Sequence, residues 1–217
     1  VTWLTDIPGI AGHLLAASVM SAPAALVIAK IIYPETESSE TMGDLKIDVE
    51  QNSSNAMEAL GNGATDGLKL AANVGAMLVA FISIVALVNY LLSFAGTSMD
   101  AILAIVFKPL AWTMGVPWEE AGQMGMLMGK KIVFTELIAY GDLKDIIAEG
   151  QISERTAIIA SYALCGFANF ASIGIQLGGI GSIAPKHKKD LTKLVVKAML
   201  GGALASWLTA TIAGMLI

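Results

Sequence analysis

The chain has 217 residues, of which 55% are hydrophobic and 14% charged, and its formal net charge is −5. A soluble domain carries roughly a quarter charged residues, so this balance, with a mean hydropathy of +0.69, describes a chain built for lipid. The acidic balance argues against a nucleic-acid partner, because no basic stripe is present to neutralise phosphates. One cysteine, Cys165, rules out an intrachain disulfide and argues against a cysteine metal cluster.

The opening Val1-Thr-Trp-Leu-Thr-Asp lacks both a methionine and a basic leader, so it reads as a cut inside a longer chain rather than a signal peptide. Between Asp6 and Lys30 the only ionisable residue is His13, and the run is long enough to span a bilayer as a helix, with Pro23 inside it. Tyr33-Pro34 ends that span. Residues 34–66 hold eight acidic side chains against Lys46 and read as an acidic loop, solvated or partner-binding. A short surface helix is expected from Ser54 onward. A further span is expected over Val74 to Leu92, inside an uncharged run from Leu70 to Met99.

Residues 100–140 behave differently. Their uncharged runs are all shorter than the roughly 17 to 25 residues a span needs, and Pro109, Gly115, Pro117 and Gly122 punctuate them. Two half-length segments joined at Gly115 to Gly122 point to a re-entrant hairpin, a form allowed at membrane depth only where protein or water covers the backbone. Gly141 to Arg155 reads as a charged connector. Residues 156–185 form another uncharged run, in which glycines beside polar residues point to a helix interrupted in mid-membrane. The basic turn Lys186-His-Lys-Lys189 places itself in the cytoplasm by the positive-inside rule, together with the acidic loop, and a last span follows from Leu191. The fold class read from this order is an all-α integral membrane protein, with transmembrane helices, a re-entrant helical hairpin and a discontinuous helix.

Polar groups inside the apolar runs mark the candidate site. Glu136 sits in Ile132-Val-Phe-Thr-Glu-Leu-Ile-Ala139, where an ionised carboxylate is costly; it is read as a proton carrier, a cation ligand or an acceptor for a polar solute. The bland alternative is a salt bridge to Lys130 or Lys131. Asn169 and Ser172, three residues apart, share nearly one helix face and serve either as glue between helices or as site groups. A carboxylate, an amide and a hydroxyl suit a neutral polyol such as a sugar ring, with Phe167 and Phe170 offering apolar surface. No Gly-x-Ser-x-Gly, His-Glu-x-x-His or Cys-His pattern occurs, so the chain is not read as an enzyme.

These residues carry a resemblance. Leu15-Ala-Ala-Ser-Val-Met-Ser-Ala-Pro23, Tyr33-Pro-Glu-Thr-Glu37, Asn73-Val-Gly-Ala-Met77, Gly115-Val-Pro-Trp118, Glu136-Leu-Ile-Ala-Tyr140, Cys165-Gly-Phe-Ala-Asn169 and Ala184-Pro-Lys186 occur in the order found in the concentrative nucleoside transporter family, and the chain resembles that family's C-terminal half. The resemblance implies a cation-coupled nucleoside symporter, driven by sodium or protons, whose scaffold forms a homotrimer. It implies a multi-pass protein of the plasma membrane (the inner membrane in a bacterium), with a nucleoside and the lipid bilayer as partners and no cofactor. It also implies an interfacial helix and a re-entrant hairpin within 100–140, and a substrate helix within 156–185. Glu136, Asn169 and Ser172 then hold the ribose hydroxyls, and Phe167 lines the cavity. Many relatives carry Asn where this chain has Thr135. The family's other hairpin, with its Gln-Thr-Glu-type base-reading motif, and the helix completing the main ion site are not among these residues. A non-transporting gate or nucleoside-recognition module is the rival reading, and an intramembrane enzyme using Glu136 as base is a second.

Overall fold

The structure, a computed structural model, describes residues 7, 9–36, 53–183 and 187–217. Residues 37–52 of the expected acidic loop and the Ala184-Pro-Lys186 motif lie outside the described residues. The regular elements within them are helical: α1 Ile10–Ile32, α2 Ala56–Ser93, α3 Met99–Thr113, α4 Ala121–Val133, α5 Glu136–Ala148, α6 Glu154–Leu164, α7 Phe170–Ile183 and α8 Lys188–Leu216. Among the described residues, α1 and α8 are long and apolar enough to cross a bilayer. Pro23 is accommodated inside α1.

The short surface helix and the span expected separately between Ser54 and Leu92 are one element. Asn55 caps α2 by accepting from the Glu58 backbone N–H at 2.9 Å, while Ser54 donates its N–H and hydroxyl to the Glu58 carboxylate at 2.7 and 2.5 Å. This reciprocal cap starts the helix firmly, and the Ser54 hydrogen bonds hold the Glu58 carboxyl below its ordinary range. Gly61, Gly63 and Gly67 weaken helix propensity by about 1 kcal/mol each without stopping the helix. The resulting 38 residues span about 57 Å.

Pro109 does not end α3, and Gly115 to Glu120 joins α3 to α4. Gly115 has φ +92°, a backbone region that favours glycine. The two helices touch through glycines spaced four apart. A Cβ at Gly125 would lie 2.8 Å from Ala104 O and 2.9 Å from Lys108 N, and one at Gly129 would lie 2.6 Å from Leu103 Cβ. Small residues at this spacing let helix backbones approach without the hydrophobic effect, which is absent in lipid.

The connector expected over 141–155 is largely helix. α4 is interrupted only by Phe134-Thr135 before α5 begins at Glu136, and α5 runs on to Ala148. α3 and α4, joined through Gly115 to Glu120, pack against each other as the two half-length segments expected there, and Glu136 lies on α5, beyond a second break at Phe134-Thr135. A two-residue break suffices because Phe134 closes α4, its N–H reaching Lys130 O at 2.8 Å, and Thr135 is extended.

α6 lies against α5 and α8, with Leu127, Met128, Leu143, Ile159, Leu164 and Ala203 buried between them. Arg155 fastens one end of this core by donating to Gly115 O, to Gly214 O at 2.6 Å and to Ile217 O at 3.4 Å. Nearby, Glu120 accepts from the N–H and hydroxyl of Ser153 at 3.1 and 2.9 Å, pinning the start of α6 to that of α4.

Gly125→Leu should force α3 and α4 apart, since the obstacles are backbone atoms. The expected loss is about 1–3 kcal/mol, read as a lower thermal unfolding midpoint of the purified protein in detergent. An unchanged midpoint would show that the two helices do not depend on this contact.

Candidate substrate site at a helix break

Between Leu164 and Phe170 the chain leaves helical geometry for five residues, Cys165 to Asn169. The interruption thus precedes Gly174 and its neighbouring glycines, through which α7 continues. Cys165 is extended and Gly166 takes φ +102°, a value that disfavours any side chain. Asn169 then begins α7. Its Oδ1 accepts from the Ser172 N–H at 2.8 Å, and the Ser172 hydroxyl donates back to Asn169 O at 2.6 Å. This is an N-cap built from an amide, and it explains the spacing of three between Asn169 and Ser172. Both side chains are buried.

With its oxygen committed to the cap, Asn169 turns its amide nitrogen outward. Nδ2 donates to Glu136 Oε2 at 3.0 Å. Glu136 is the first residue of α5, so its carboxylate lies at the positive end of one helix while Asn169 opens another. Two helix starts, each following a break, meet through one charge-assisted hydrogen bond. The pair retains unused capacity, since a carboxylate has about four acceptor sites and an amide nitrogen two N–H groups. Spare acceptors beside a spare donor match vicinal hydroxyls, each of which both donates and accepts.

The salt-bridge alternative for Glu136 does not occur among the described residues. Lys130 pairs with Asp100 at 2.9 Å and Asp142 at 2.7 Å, closing the far ends of α3, α4 and α5. Lys131 points the other way, is completely buried, and donates to Ala163 O at 2.9 Å, Cys165 O at 3.2 Å and Ser206 Oγ at 2.7 Å. Sequence reasoning weighed Lys131 only as a partner for Glu136; its signal was a lysine in an apolar run with no acid three or four residues away. Tyr140 was also missed, and its hydroxyl donates to Ser161 O at 2.7 Å, the next buried carbonyl along α6.

Of the four residues singled out, Glu136 and Asn169 are in direct contact, Ser172 supports Asn169, and Phe167 stands 74% exposed beside the break. Phe167, Cys165, Ser21 and Gln176 line an open cavity of about 300 Å³ together with Ala205 and Ser206 of α8; Glu136, Asn169 and Ser172 are not in its lining. His13, at the start of α1, lies 3.2 Å from the Tyr162 hydroxyl and braces the end of α6 from outside. No group of His, Cys, Asp and Glu able to hold a metal ion occurs among the described residues.

The family model for "Na+ dependent nucleoside transporter C-terminus" matches residues 13–214. The chain is 47% identical over 213 residues to an uncharacterized transporter, YutK, of Bacillus subtilis, covering 94% of this chain and 52% of that protein. It is 43% identical over 215 residues to the nucleoside permease NupC of Helicobacter pylori, covering 94% of this chain and 51% of that one. Among solved structures, CNTnw in an inward-facing substrate-bound state superposes with a TM-score of 0.80 at 41% identity, over 94% of this chain and 50% of that one. The chain thus spans about half the length of the relatives it matches.

Asn169 does two separable things, and two substitutions should part them. Asn169→Ala removes the cap oxygen, with an expected loss of about 0.5–2 kcal/mol, whereas Asn169→Ser keeps a capping oxygen but loses the amide N–H that reaches Glu136. Thermal unfolding should therefore rank the parent first, Asn169→Ser next and Asn169→Ala last. Equal midpoints for the two variants would remove the capping role.

Proposed function

Since this chain belongs to the concentrative nucleoside transporter family as its C-terminal half, we propose that it supplies the sugar-holding part of a cation-coupled nucleoside importer. Glu136 accepts from ribose hydroxyls, and Asn169 both orients Glu136 and donates its remaining N–H to the same sugar. Ser172 fixes Asn169, and Phe167 covers the ring from the side of the break. The observation that carries this reading is the 3.0 Å contact between Asn169 Nδ2 and Glu136 Oε2, made across two helix starts and left with free donors and acceptors.

In this reading α3 is the interfacial helix expected within 100–140, α4–α5 is the re-entrant hairpin and runs past that range to Ala148, and α6–α7 is the discontinuous helix expected over 156–185, beginning at Glu154. The residues that read the base and complete the main ion site belong to the rest of the importer, outside this chain. Coupling then requires the ion to favour the substrate-ready state, because a ligand shifts an equilibrium only through differential affinity. Sodium is supported as coupling ion by the family description, with protons as the competing choice. The importer sits in the plasma membrane, crossing it several times. The importer is read as a homotrimer on the family resemblance alone; the exposed Val79, Ile82, Leu87, Tyr90 and Leu91 of α2 suit lipid as well as a neighbouring subunit.

Reconstituted full-length protein provides the test. Glu136→Gln should raise the half-saturating concentration of a ribonucleoside about tenfold or more, the loss expected for a hydrogen bond to a charged group. For the 2′,3′-dideoxy counterpart the change should stay within about twofold, because the lost acceptor has no hydroxyl to meet. Equal effects on both substrates would remove Glu136 from sugar recognition. Replacing external sodium with choline should abolish accumulation; uptake that persists and follows an imposed proton gradient would assign the coupling to protons.

A further inference from the structure

Lys131 is a buried cation that the proposed substrate contacts do not use. It is 0% exposed, and its three N–H donors reach three neutral oxygens: Ala163 O, Cys165 O and Ser206 Oγ. No carboxylate lies in ion-pair contact with it among the described residues. An ammonium so deeply placed is expensive unless every donor is satisfied and a negative potential surrounds it. The C-terminal end of α6 supplies that potential, because its last carbonyls have no helical partner and carry the negative end of the helix dipole. Ser206 adds a third acceptor, its own proton being given to Ala203 O at 2.9 Å.

Position converts this anchor into control of the site. From Lys131 the chain runs five residues to Glu136, and from Cys165 it runs four to Asn169. The Lys131–Cys165 and Asn169–Glu136 hydrogen bonds close these two arms into one ring. Any movement of Cys165 relative to α4 therefore moves Asn169 relative to Glu136. We propose that Lys131 is the positioning residue of the sugar site: a tethered cation that occupies the broken end of α6, holds the break against α4 and α8, and thereby sets the Glu136–Asn169 distance. This assignment rests on the sugar-holding role given above to Glu136 and Asn169. It gives the C-terminal end of the broken helix a covalently attached cation, so that end requires no free ion to be stable.

The test uses full-length protein carrying Lys131→Met, which keeps length and removes the donors, and Ser206→Ala, which removes one of three acceptors. Two quantities are read. The first is the alkylation rate of the Cys165 thiol by a maleimide, followed on its own peptide by mass spectrometry. The second is the ratio of half-saturating concentrations for a ribonucleoside and its 2′,3′-dideoxy counterpart. Lys131→Met should speed Cys165 alkylation and weaken ribonucleoside selectivity, each by about tenfold, the scale of a lost charged hydrogen bond. Ser206→Ala should move both the same way by about twofold to threefold, and it decides the matter if Lys131→Met fails to insert. Equal losses for both substrates would make Lys131 a packing residue and overturn the assignment, as would parent-like alkylation and selectivity. If the parent protein moves no nucleoside, the sugar-site reading fails by itself, and the alkylation rate still decides whether Lys131 holds the break.

Discussion

The arrangement depends on how the chain satisfies five non-helical residues in apolar surroundings. Where a helix is interrupted away from water, each freed N–H or C=O costs several kcal/mol unless it finds a partner. Cys165 N–H reaches Tyr162 O at 3.1 Å, Asn169 N–H reaches Phe167 O at 3.2 Å, and the first turn of α7 is capped by the Asn169 side chain. Beyond these local bonds, the carbonyls at the end of α6 are taken by α4 and α5: Ser161 O by Tyr140, Ala163 O and Cys165 O by Lys131. The partners required by the break thus come from the helix pair that also carries Glu136.

The consequence is mechanical. Lys130 and Lys131 are adjacent but face opposite directions, one to Asp100 and Asp142, the other to the break. Two successive cations tie α3, α4, α5, α6 and α8 at one level, while Arg155 and Glu120 tie α3, α4, α6 and α8 at another. Cross-links at two levels oppose sliding of these helices past one another. α2 differs: it is long and exposed through most of its described length, and meets the others only lightly.

Much of this could be read from residue order, and the failures have physical causes. The helical class, the proline-containing first helix, the last span and the choice of Glu136 and Asn169 as candidate groups followed from hydropathy and from the cost of polar groups in lipid. Boundaries failed where a local signal was overridden. Pro109 looked like a stop and the helix from Ser54 like a short one, but a proline removes one hydrogen bond and each early glycine of α2 about 1 kcal/mol, less than packing or a firm cap returns. The charged stretch after Gly141 looked like a connector because charge was taken for exposure to water; Asp142 is instead half-buried against Lys130. Lys131 was undervalued because its partners are backbone carbonyls more than thirty residues away, which no spacing rule reaches.

The commitments of the charged groups also bear on which ligand fits. With Lys130 held by two aspartates and Lys131 by three neutral oxygens, neither makes an ion-pair contact with Glu136 among the described residues. A ligand bringing a phosphate to this carboxylate would meet like charge in a medium where screening is weak and electrostatic interactions are strong. A neutral sugar meets the opposite situation: its hydroxyls donate to the free carboxylate lone pairs and accept from the remaining Asn169 N–H. Under the proposed roles, the same hydrogen-bond accounting that stabilises the broken helix leaves a pair of groups suited to neutral hydroxyls.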